Sequence, residues 1–279
     1  MSFKDHFSDA PAQYAAARPN YPPGLAAFLA QAAPQPDTAL DCACGGGQFS
    51  VSLAAHFKRV IATDASAAQT AHAAARPNIE YRTTSAEHSG LPDTCADLVA
   101  AAQAAHWFDL PAFYREAERV ACPNAVIALV SYGIPQLEDP AANRVFQTFY
   151  RSLAPYWPPE RCHVENGYAG LPFPFPEIPV PPMAMAKQWT LAELLAYTAT
   201  WSAAKAARKA AAAVCRPTRR PVAAGRNANR PLAAYRPRGA DRQGSLKPCF
   251  QTASDVDAVC RVGQDPPYGR YFRNTKQPA

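Results

Sequence analysis

The chain has 279 residues and a formal net charge of +6 at pH 7, and 48% of its residues are hydrophobic against 18% charged. This composition excludes a chain that is disordered throughout, and no run of eighteen apolar residues indicates a membrane span. Residues 1–201 contain 12 Lys and Arg against 18 Asp and Glu, a net −6, whereas residues 202–279 contain 16 against 4, a net +12. The basic character therefore belongs to the last part of the chain.

The first residues and the cysteines indicate the cellular compartment in which the protein is expected. Residues 1–9 are polar and charged and contain no apolar run of signal-peptide length, so we expect a cytoplasmic protein. Eight cysteines scattered through a long chain indicate reduced thiols rather than a disulfide framework. Cys42 and Cys44 have no second Cys or His pair at zinc-site spacing, so we expect no metal.

Short apolar strands alternate with Ala-rich helices between residues 38 and 132, which is the pattern of an α/β fold with a parallel sheet covered by helices. The last strand is apolar on both faces, as a central parallel strand should be. Helices are predicted over 48–57 and 66–75, and a third is capped by Asp109. The predicted strands are Thr38–Cys42, Val60–Asp64, Ile79–Arg82, Asp97–Ala102 and Ala125–Ser131.

The segments around this pattern define three further predicted units. Residues 1–30 are rich in aromatic residues and Pro and suit an N-terminal cap over a site, whereas 31–132 form the strand–helix core. Residues 133–202 are predicted to form a substrate-side insertion. They combine helix patterns with a Pro-rich stretch that cannot supply central strands, because Pro lacks the ladder donor. Residues 203–279 are a basic Pro- and Arg-rich tail, expected to be disordered after about residue 215, and only residues 256–262 resemble a strand.

A glycine cluster, Gly45–Gly47, follows the first strand and lies between two carboxylates, Asp41 and Asp64. Parallel sheets bind ligands beyond the carboxyl ends of their strands, and glycine lets the backbone approach a ligand closely. Asp64 ends the second strand, where its carboxylate can accept hydrogen bonds from two ribose hydroxyls. The pattern therefore indicates a ligand of the adenosine type, although both carboxylates could instead simply cap helices.

The spacing of the glycines narrows the choice of cofactor. The dinucleotide fingerprint Gly-x-Gly-x-x-Gly or Ala is absent, because counting from Gly45 its last position is Ser50. No Lys-Ser or Lys-Thr pair follows the glycines, which excludes a phosphate-binding P-loop. Asp41 would repel a pyrophosphate but can accept a hydrogen bond from an ammonium group. The pattern therefore favours a cofactor with an amino-acid head group.

Four motifs, in order, carry a resemblance to a known family. The segment Leu40-Asp-Cys-Ala-Cys-Gly-Gly-Gly-Gln48 resembles the first motif of class I S-adenosylmethionine-dependent methyltransferases, Asp/Glu-x-Gly-x-Gly-x-Gly. The chain is most similar to the small-molecule branch that includes ubiquinone-biosynthesis and trans-aconitate methyltransferases. The resemblance covers residues 3–202 and implies a Rossmann-like, doubly wound, mostly parallel sheet with a helical, Pro-rich substrate insertion. The other motifs are Phe7-Ser…Tyr14…Arg18-Pro-x-Tyr21-Pro, Ala86-Glu87…Leu91-Pro-Asp93 and Ala102-Gln-Ala-Ala-His-Trp-Phe-Asp109.

The resemblance implies that residues 31–132 bind S-adenosyl-L-methionine, with a role for each residue of the first motif. Gly45 and Gly47 would approach the methionine part, Asp41 its ammonium group, and Asp64 the ribose hydroxyls. Ala43 stands where the family has the first glycine of the motif. If that position needs a positive φ, the methyl group costs about 1 kcal/mol or more and would weaken cofactor binding.

Further cofactor contacts are implied outside the glycine loop. Ala86 and Glu87, after the third strand, would meet the adenine edge, although an isolated glutamate at such a position is commonly a surface loop residue. Gln103, after the fourth strand, would flank the methyl donor. Tyr14 and Arg18 would close over the cofactor carboxylate from the N-terminal segment.

The candidate substrate-binding residues are His106, Trp107, Tyr156 and Trp157. His106 is the titratable group suited to removing a proton near neutral pH, which makes it the candidate catalytic residue. A methyltransferase that acts on a carboxylate needs no base, however, because positioning supplies most of the rate effect. Packing of an aromatic patch and of a Pro-rich lid would also explain the three aromatic residues.

Function and partners follow as expectations. We expect a methyltransferase that moves the donor methyl to a small-molecule acceptor by direct displacement, with no membrane, nucleic-acid or obligate protein partner. One alternative is a homologue that binds the cofactor but is impaired or inactive. Another is a nucleic-acid-associated protein using the basic tail, which contains no recognisable binding module.

The end of the chain departs from the family. Class I methyltransferases complete their sheet with two further strands at one edge, and no convincing pair follows Trp201, so we expect the final edge strands to be missing. The composition also changes abruptly there. We hypothesise a reading-frame change near residues 205–215.

Overall fold

The computed structural model describes residues 19–214, 258–262 and 270–273. These residues form eight α-helices and nine strands, and the strands make up two sheets. The strands are β1 (Thr38–Cys42), β2 (Arg59–Asp64), β3 (Ile79–Thr83), β4 (Ala96–Ala102), β5 (Ala121–Val130), β6 (Pro135–Leu137), β7 (Met185–Trp189), β8 (Ala258–Val262) and β9 (Arg270–Arg273). The helices are α1 (Pro23–Ala32), α2 (Gln48–Ala54), α3 (Ala67–Ala71), α4 (Leu110–Val120), α5 (Pro140–Ser152), α6 (Arg161–Glu165), α7 (Leu191–Ala199) and α8 (Ser202–Val214).

The main sheet has the order β3-β2-β1-β4-β5-β9. The first five strands are parallel to their neighbours, with Asp41 of β1 opposite Ala62 of β2 and Ala100 of β4. The sheet grows outwards in both directions from β1 and β4, so the loops after these two strands lie side by side at its carboxyl edge. The predicted α/β fold is confirmed.

Alternate residues of the central strands pack into two separate layers, as the two-residue period of a strand requires. Leu40, Ile61 and Val99 face a layer that includes helix α4. Their neighbours face the opposite layer, which helices α1 and α2 cover. Both faces of the sheet are therefore buried, which explains why its strands are continuously apolar.

Side chains at helix starts fix where several helices begin. Asp109 accepts a hydrogen bond from the Ala112 N–H at α4, and Thr190 and Glu193 form a reciprocal capping box at α7. Helix α2 ends at Ala54, three residues before the predicted end at Phe57, and Phe57 lies buried beyond the helix.

The region 133–202 packs around aromatic side chains and a small antiparallel sheet of order β6-β8-β7. Trp201 lies at the centre, with its ring centroid 5.5 Å from that of Tyr197, 5.7 Å from that of Trp157 and 5.9 Å from that of Phe146. This region therefore has its own apolar core beside the carboxyl edge of the main sheet. The boundaries of the four predicted units remain predictions.

One expectation for the tail needs correction. Strand β9 pairs antiparallel with β5, with Tyr271 opposite Ala128, so an edge strand expected to be missing is present. The strand begins and ends with arginine, which suits an edge strand. With four residues it is too short to show a recognisable alternation in the sequence. Strand β8 overlaps residues 256–262, the segment of the tail whose sequence resembles a strand. For residues 215–257, 263–269 and 274–279 the expected disorder lies outside the described residues, and the reading-frame change stays a hypothesis.

Two properties of the described segments bear on the expectations about membranes and metals. None of their helices is both long and apolar enough to cross a membrane. The same segments bring no three His, Cys, Asp or Glu side chains together where they could hold a metal ion. Within residues 19–214, five cysteines are free thiols: Cys42, Cys44, Cys95, Cys122 and Cys162.

Candidate active site

The glycine loop follows β1, and three of its residues have backbone angles in the left-handed region. Ala43, Gly45 and Gly47 have φ values of 55°, 55° and 78°, and the last of them immediately precedes α2. The Cys44 N–H donates to the Thr63 carbonyl at 2.9 Å, which fixes the loop to the end of β2. Ala43 therefore holds a positive φ without being glycine, a conformation that costs an L-residue about 1 kcal/mol.

Gly47 could not be replaced without moving a neighbour. A Cβ built there would lie 2.2 Å from the Tyr81 hydroxyl oxygen and 2.9 Å from its ring carbon Cζ. Tyr81 is fixed in turn, because its hydroxyl donates to the Ala74 carbonyl at 2.9 Å. Glycine is thus required here both by conformation and by space.

Asp64 links the end of β2 to the glycine loop. One carboxylate oxygen accepts the Gly45 N–H and the other accepts the Ser66 N–H, each at 2.8 Å. The side chain is 9% exposed. These two bonds orient the carboxylate at the edge of the loop, where sequence reasoning places the ribose.

Asp41 is a buried carboxyl group next to this loop. Its Oδ2 accepts a hydrogen bond from the Ser50 hydroxyl at 2.5 Å, and its Oδ1 is buried without a hydrogen-bond partner among the described residues. Burial, with a further contribution from Asp64, raises the pKa of Asp41 from 3.8 to about 7, although the Ser50 bond opposes the rise. A buried acceptor without a donor is costly, so this site suits a cation that can donate a hydrogen bond.

The N-terminal segment reaches the glycine loop through Gln48. The Gln48 side-chain amide donates to the Pro19 carbonyl and to Asn20 Oδ1, each at 2.9 Å. The Tyr21 ring packs on Phe49 with ring centroids 4.8 Å apart. The segment therefore enters beside the loop, whereas the candidate residues Tyr14 and Arg18 lie outside the described residues.

Ala86 and Glu87 lie on the loop between β3 and β4. Ala86 is buried in the core layer, and Glu87 Oε1 accepts the Asp109 N–H at 3.1 Å, at the start of α4. Glu87 therefore has a structural contact within the chain, and its assignment to the adenine edge stays a prediction.

Gln103 and His106 follow β4, beside the loop that carries the glycines. Gln103 also has a positive φ, 56°, and its side-chain amide donates to the Tyr132 carbonyl at 2.8 Å. His106 Nδ1 lies 2.9 Å from the Tyr168 hydroxyl. Burial, with smaller electrostatic contributions from Arg161 and His163, lowers the pKa of His106 to about 3. His106 is therefore neutral at physiological pH.

A cavity opens between the end of β4 and the insertion. Trp107 and Trp157 lie in its wall as predicted substrate-side residues, whereas Tyr156 is 39% exposed and is not part of the lining. Phe173 and Phe175, which lie in the Pro-rich stretch, pack on Tyr114. The lining consists of Gln103, His106, Trp107, Tyr132, Gly133, Pro135, Trp157, Pro158, Arg161, Tyr197, Trp201 and Ser202.

Sequence reasoning missed several of these wall residues because they come from distant parts of the chain. Arg161 is the most informative, since its guanidinium lies 4.8 Å from the ring centroid of Trp157 and its Nε donates to the Tyr150 hydroxyl at 3.2 Å. Tyr168 is buried behind His106 and belongs to no recognisable sequence motif. The sequence pattern that pointed to this region was a stretch rich in Pro and aromatic residues. That pattern does not distinguish residues that line the cavity from residues that pack in the core of the insertion.

The arrangement fits the head group of S-adenosylmethionine. The orphaned Asp41 Oδ1 is a suitable acceptor for an ammonium group, and the left-handed loop brings backbone close to the same place. Asp64 stands at the neighbouring strand end. Together with the sheet order, these features define the class I methyltransferase fold.

Comparisons with known proteins agree. The sequence signature of the methyltransferase domain family matches residues 40–129. A Dictyostelium discoideum protein assigned as a methyltransferase is 32% identical over 204 residues, which are 72% of this chain and 78% of that protein. An uncharacterized methyltransferase-like protein from Schizosaccharomyces pombe is 34% identical over 123 residues, 43% of this chain and 48% of its own.

A solved structure extends the similarity over most of the molecule. A protein from Anaeromyxobacter dehalogenans, assigned as a type II methyltransferase, shares 36% identity with a TM-score of 0.70, covering 92% of this chain and 97% of that one. The chain belongs to the S-adenosylmethionine-dependent methyltransferase family. The recognition made from the four motifs is thereby confirmed at the level of the family.

Proposed function

We propose that this enzyme binds S-adenosyl-L-methionine at the glycine loop and methylates a small molecule held in the cavity between β4 and the insertion. The observation that carries the proposal is the position of this cavity. Gln103 and His106 line it directly after β4, and β4 is paired with β1, whose end carries Asp41 and the glycine loop. A group bound in the cavity therefore lies next to the cofactor loop.

Each side of the site has its own task in this proposal. Asp41 accepts from the cofactor ammonium, and Asp64 accepts from the ribose hydroxyls. Ala86 and Glu87 stand on the adenine side, and Gln103 stands between cofactor and acceptor. The bound cofactor supplies an electrophilic methyl group, and the chain supplies the alignment that direct displacement needs.

The cavity wall favours a particular kind of acceptor. Three tryptophans and two tyrosines give it apolar, flat surfaces, and Arg161 supplies a guanidinium whose Nε lies 3.7 Å from the Glu165 carboxylate. Among its lining residues there is no carboxylate. An acceptor with an apolar body and a negative charge matches this lining, and such a nucleophile requires no base. Eight of its twelve lining residues belong to the insertion, which agrees with binding of a small molecule on this side of the site.

Calorimetric titration with S-adenosylmethionine and with its demethylated product tests the cofactor part. We expect both to bind, and we expect Asp64→Ala to weaken binding strongly. Asp37→Ala is the matched control, because Asp37 pairs with an exposed lysine, Lys58, on the surface. Binding unaffected by Asp64→Ala would refute the ribose assignment.

Transfer of labelled methyl from the cofactor to a panel of small carboxylates and phenols tests the acceptor part. The alternative of an impaired or inactive homologue is favoured by one observation, the left-handed Ala43. It predicts weak or absent binding heat and no labelled product with any acceptor. Transfer to small molecules would exclude it.

A further inference from the structure

Tyr168 is a buried side chain that no part of the proposed reaction uses. It is fully buried, and its backbone has a φ of 64°, directly after Gly167 with a φ of 58°. A bulky residue in the left-handed region is uncommon, and such strain persists where the surroundings strongly fix the residue. The Tyr168 N–H donates to the His163 carbonyl at 2.8 Å, which holds the turn at the end of α6.

This turn brings the Tyr168 hydroxyl to the back of His106. The hydroxyl oxygen lies 2.9 Å from Nδ1, and the two rings are 5.8 Å apart between centroids. Among the described residues, His106 Nδ1 is the only hydrogen-bond partner of this hydroxyl.

These contacts decide which atom carries each proton. A buried phenol has one proton to donate, and His106 Nδ1 is the only acceptor that the described residues offer to it. Burial raises the pKa of Tyr168, so the phenol keeps its proton. The hydroxyl therefore donates to Nδ1, and a neutral imidazole that accepts at Nδ1 carries its own proton on Nε2.

The opposite edge of the ring is available to a ligand. His106 lines the cavity, and no described residue is seen to hydrogen-bond Nε2. The charged and titratable groups that act on the ring are Arg161 and His163, and both disfavour a second proton on it.

We propose that Tyr168 is a positioning residue that locks His106 in the Nε2–H tautomer, so that His106 donates a hydrogen bond to the methyl acceptor. This inference rests on the proposed function, because it assumes that the acceptor occupies the cavity. His106 keeps its proton throughout and acts as a fixed neutral donor. It therefore does not serve as the general base that its residue type suggests.

Nitrogen NMR of the ¹⁵N-histidine-labelled full chain tests the tautomer without cofactor or acceptor. We expect His106, assigned by its absence in His106→Gln, to show an unprotonated Nδ1 and a protonated Nε2 throughout the neutral pH range. Tyr168→Phe should produce a mixture of tautomers. Tyr114→Phe is the matched control, since Tyr114 is a buried tyrosine whose hydroxyl donates to the Pro172 carbonyl. A protonated Nδ1 in the wild type would overturn the proposal even if Tyr168→Phe failed to fold.

Kinetics with an acceptor that the enzyme methylates distinguish a hydrogen-bond donor from a general base at His106. Glutamine retains an N–H donor and cannot accept a proton, so His106→Gln should retain most of kcat/KM, whereas His106→Ala should lose about tenfold or more. Equal losses in both variants, or a pH profile that follows a histidine pKa, would overturn the donor role. If the NMR result holds but no small molecule is methylated, the proposed function fails and the tautomer assignment stands.

Discussion

Asp41→Asn should change how the stability of this enzyme depends on pH. The folded chain holds the Asp41 proton far more tightly than the unfolded chain, because burial raises its pKa from 3.8 to about 7. Stability from this group is fully present below pH 3.8 and is lost as the pH rises towards 7. Asparagine has the same shape and no titration, so it removes this dependence.

The magnitude follows from the same shift. A rise in pKa from 3.8 to about 7 corresponds to about 4 kcal/mol over the whole range, or about 1.4 kcal/mol per pH unit. Between pH 5.5 and 7 the free energy of unfolding of the wild type should therefore fall by about 2 kcal/mol relative to that of Asp41→Asn. An unsatisfied amide at the position of the orphaned Oδ1 adds a constant penalty of about 1–3 kcal/mol to the variant, which does not depend on pH.

Urea unfolding of both proteins at several pH values measures the difference directly. Ser50→Ala is an informative companion, because the Ser50 hydrogen bond lowers the pKa of Asp41 and its loss should extend the falling region above pH 7. The same variants should lose cofactor affinity, since a protonated or amidated Asp41 presents no negative charge to an ammonium group. Parallel pH dependences of the wild type and Asp41→Asn would refute the reasoning.

Four further substitutions test the loop and the cavity. Ala43→Gly should raise the free energy of unfolding by up to about 1 kcal/mol, measured in urea, because it removes the strain of an alanine in the left-handed region. It should also raise the affinity for the cofactor. A lower free energy of unfolding would show that the loop is not strained there. Gly47→Ala should destabilise by at least about 1 kcal/mol and weaken cofactor binding. Adding Tyr81→Phe should recover only part of that loss in thermal unfolding, because the ring carbon stays within 2.9 Å of the new Cβ, and full recovery would contradict the contact. Arg161→Gln should raise KM for an anionic acceptor about tenfold and leave KM for a neutral analogue unchanged, so equal effects on both would contradict the charge match.

The main sheet could be predicted because its signals are local. Strands β1 and β2 are continuous apolar runs that end in carboxylates, and Ser66 and Asp109 mark helix starts at the predicted residues. The residues after β1 follow a motif of fixed spacing, so Asp41 and the glycines could be placed in one loop from the sequence.

The acceptor side could not be predicted because its residues meet only in three dimensions. Tyr168 reaches His106 across 62 positions of the chain. Strand β7 pairs with β8, more than 60 residues later, and β9 is too short to show a pattern. The roles of Trp157 and Tyr156 differ although they are neighbours, because one side chain turns into the cavity and the other turns to solvent.

The aromatic wall also gives the protein an intrinsic optical reporter. The sequence has four tryptophans, and three of them, Trp107, Trp157 and Trp201, line the cavity. The fourth, Trp189, is 1% exposed and stacks on Tyr197 with ring centroids 4.7 Å apart. Indole emission responds to polarity and to contact with a quencher, so an acceptor that enters should alter most of the fluorescence of the chain. Candidate acceptors can thus be screened by titration alone, before the chemistry of the methylated product is known.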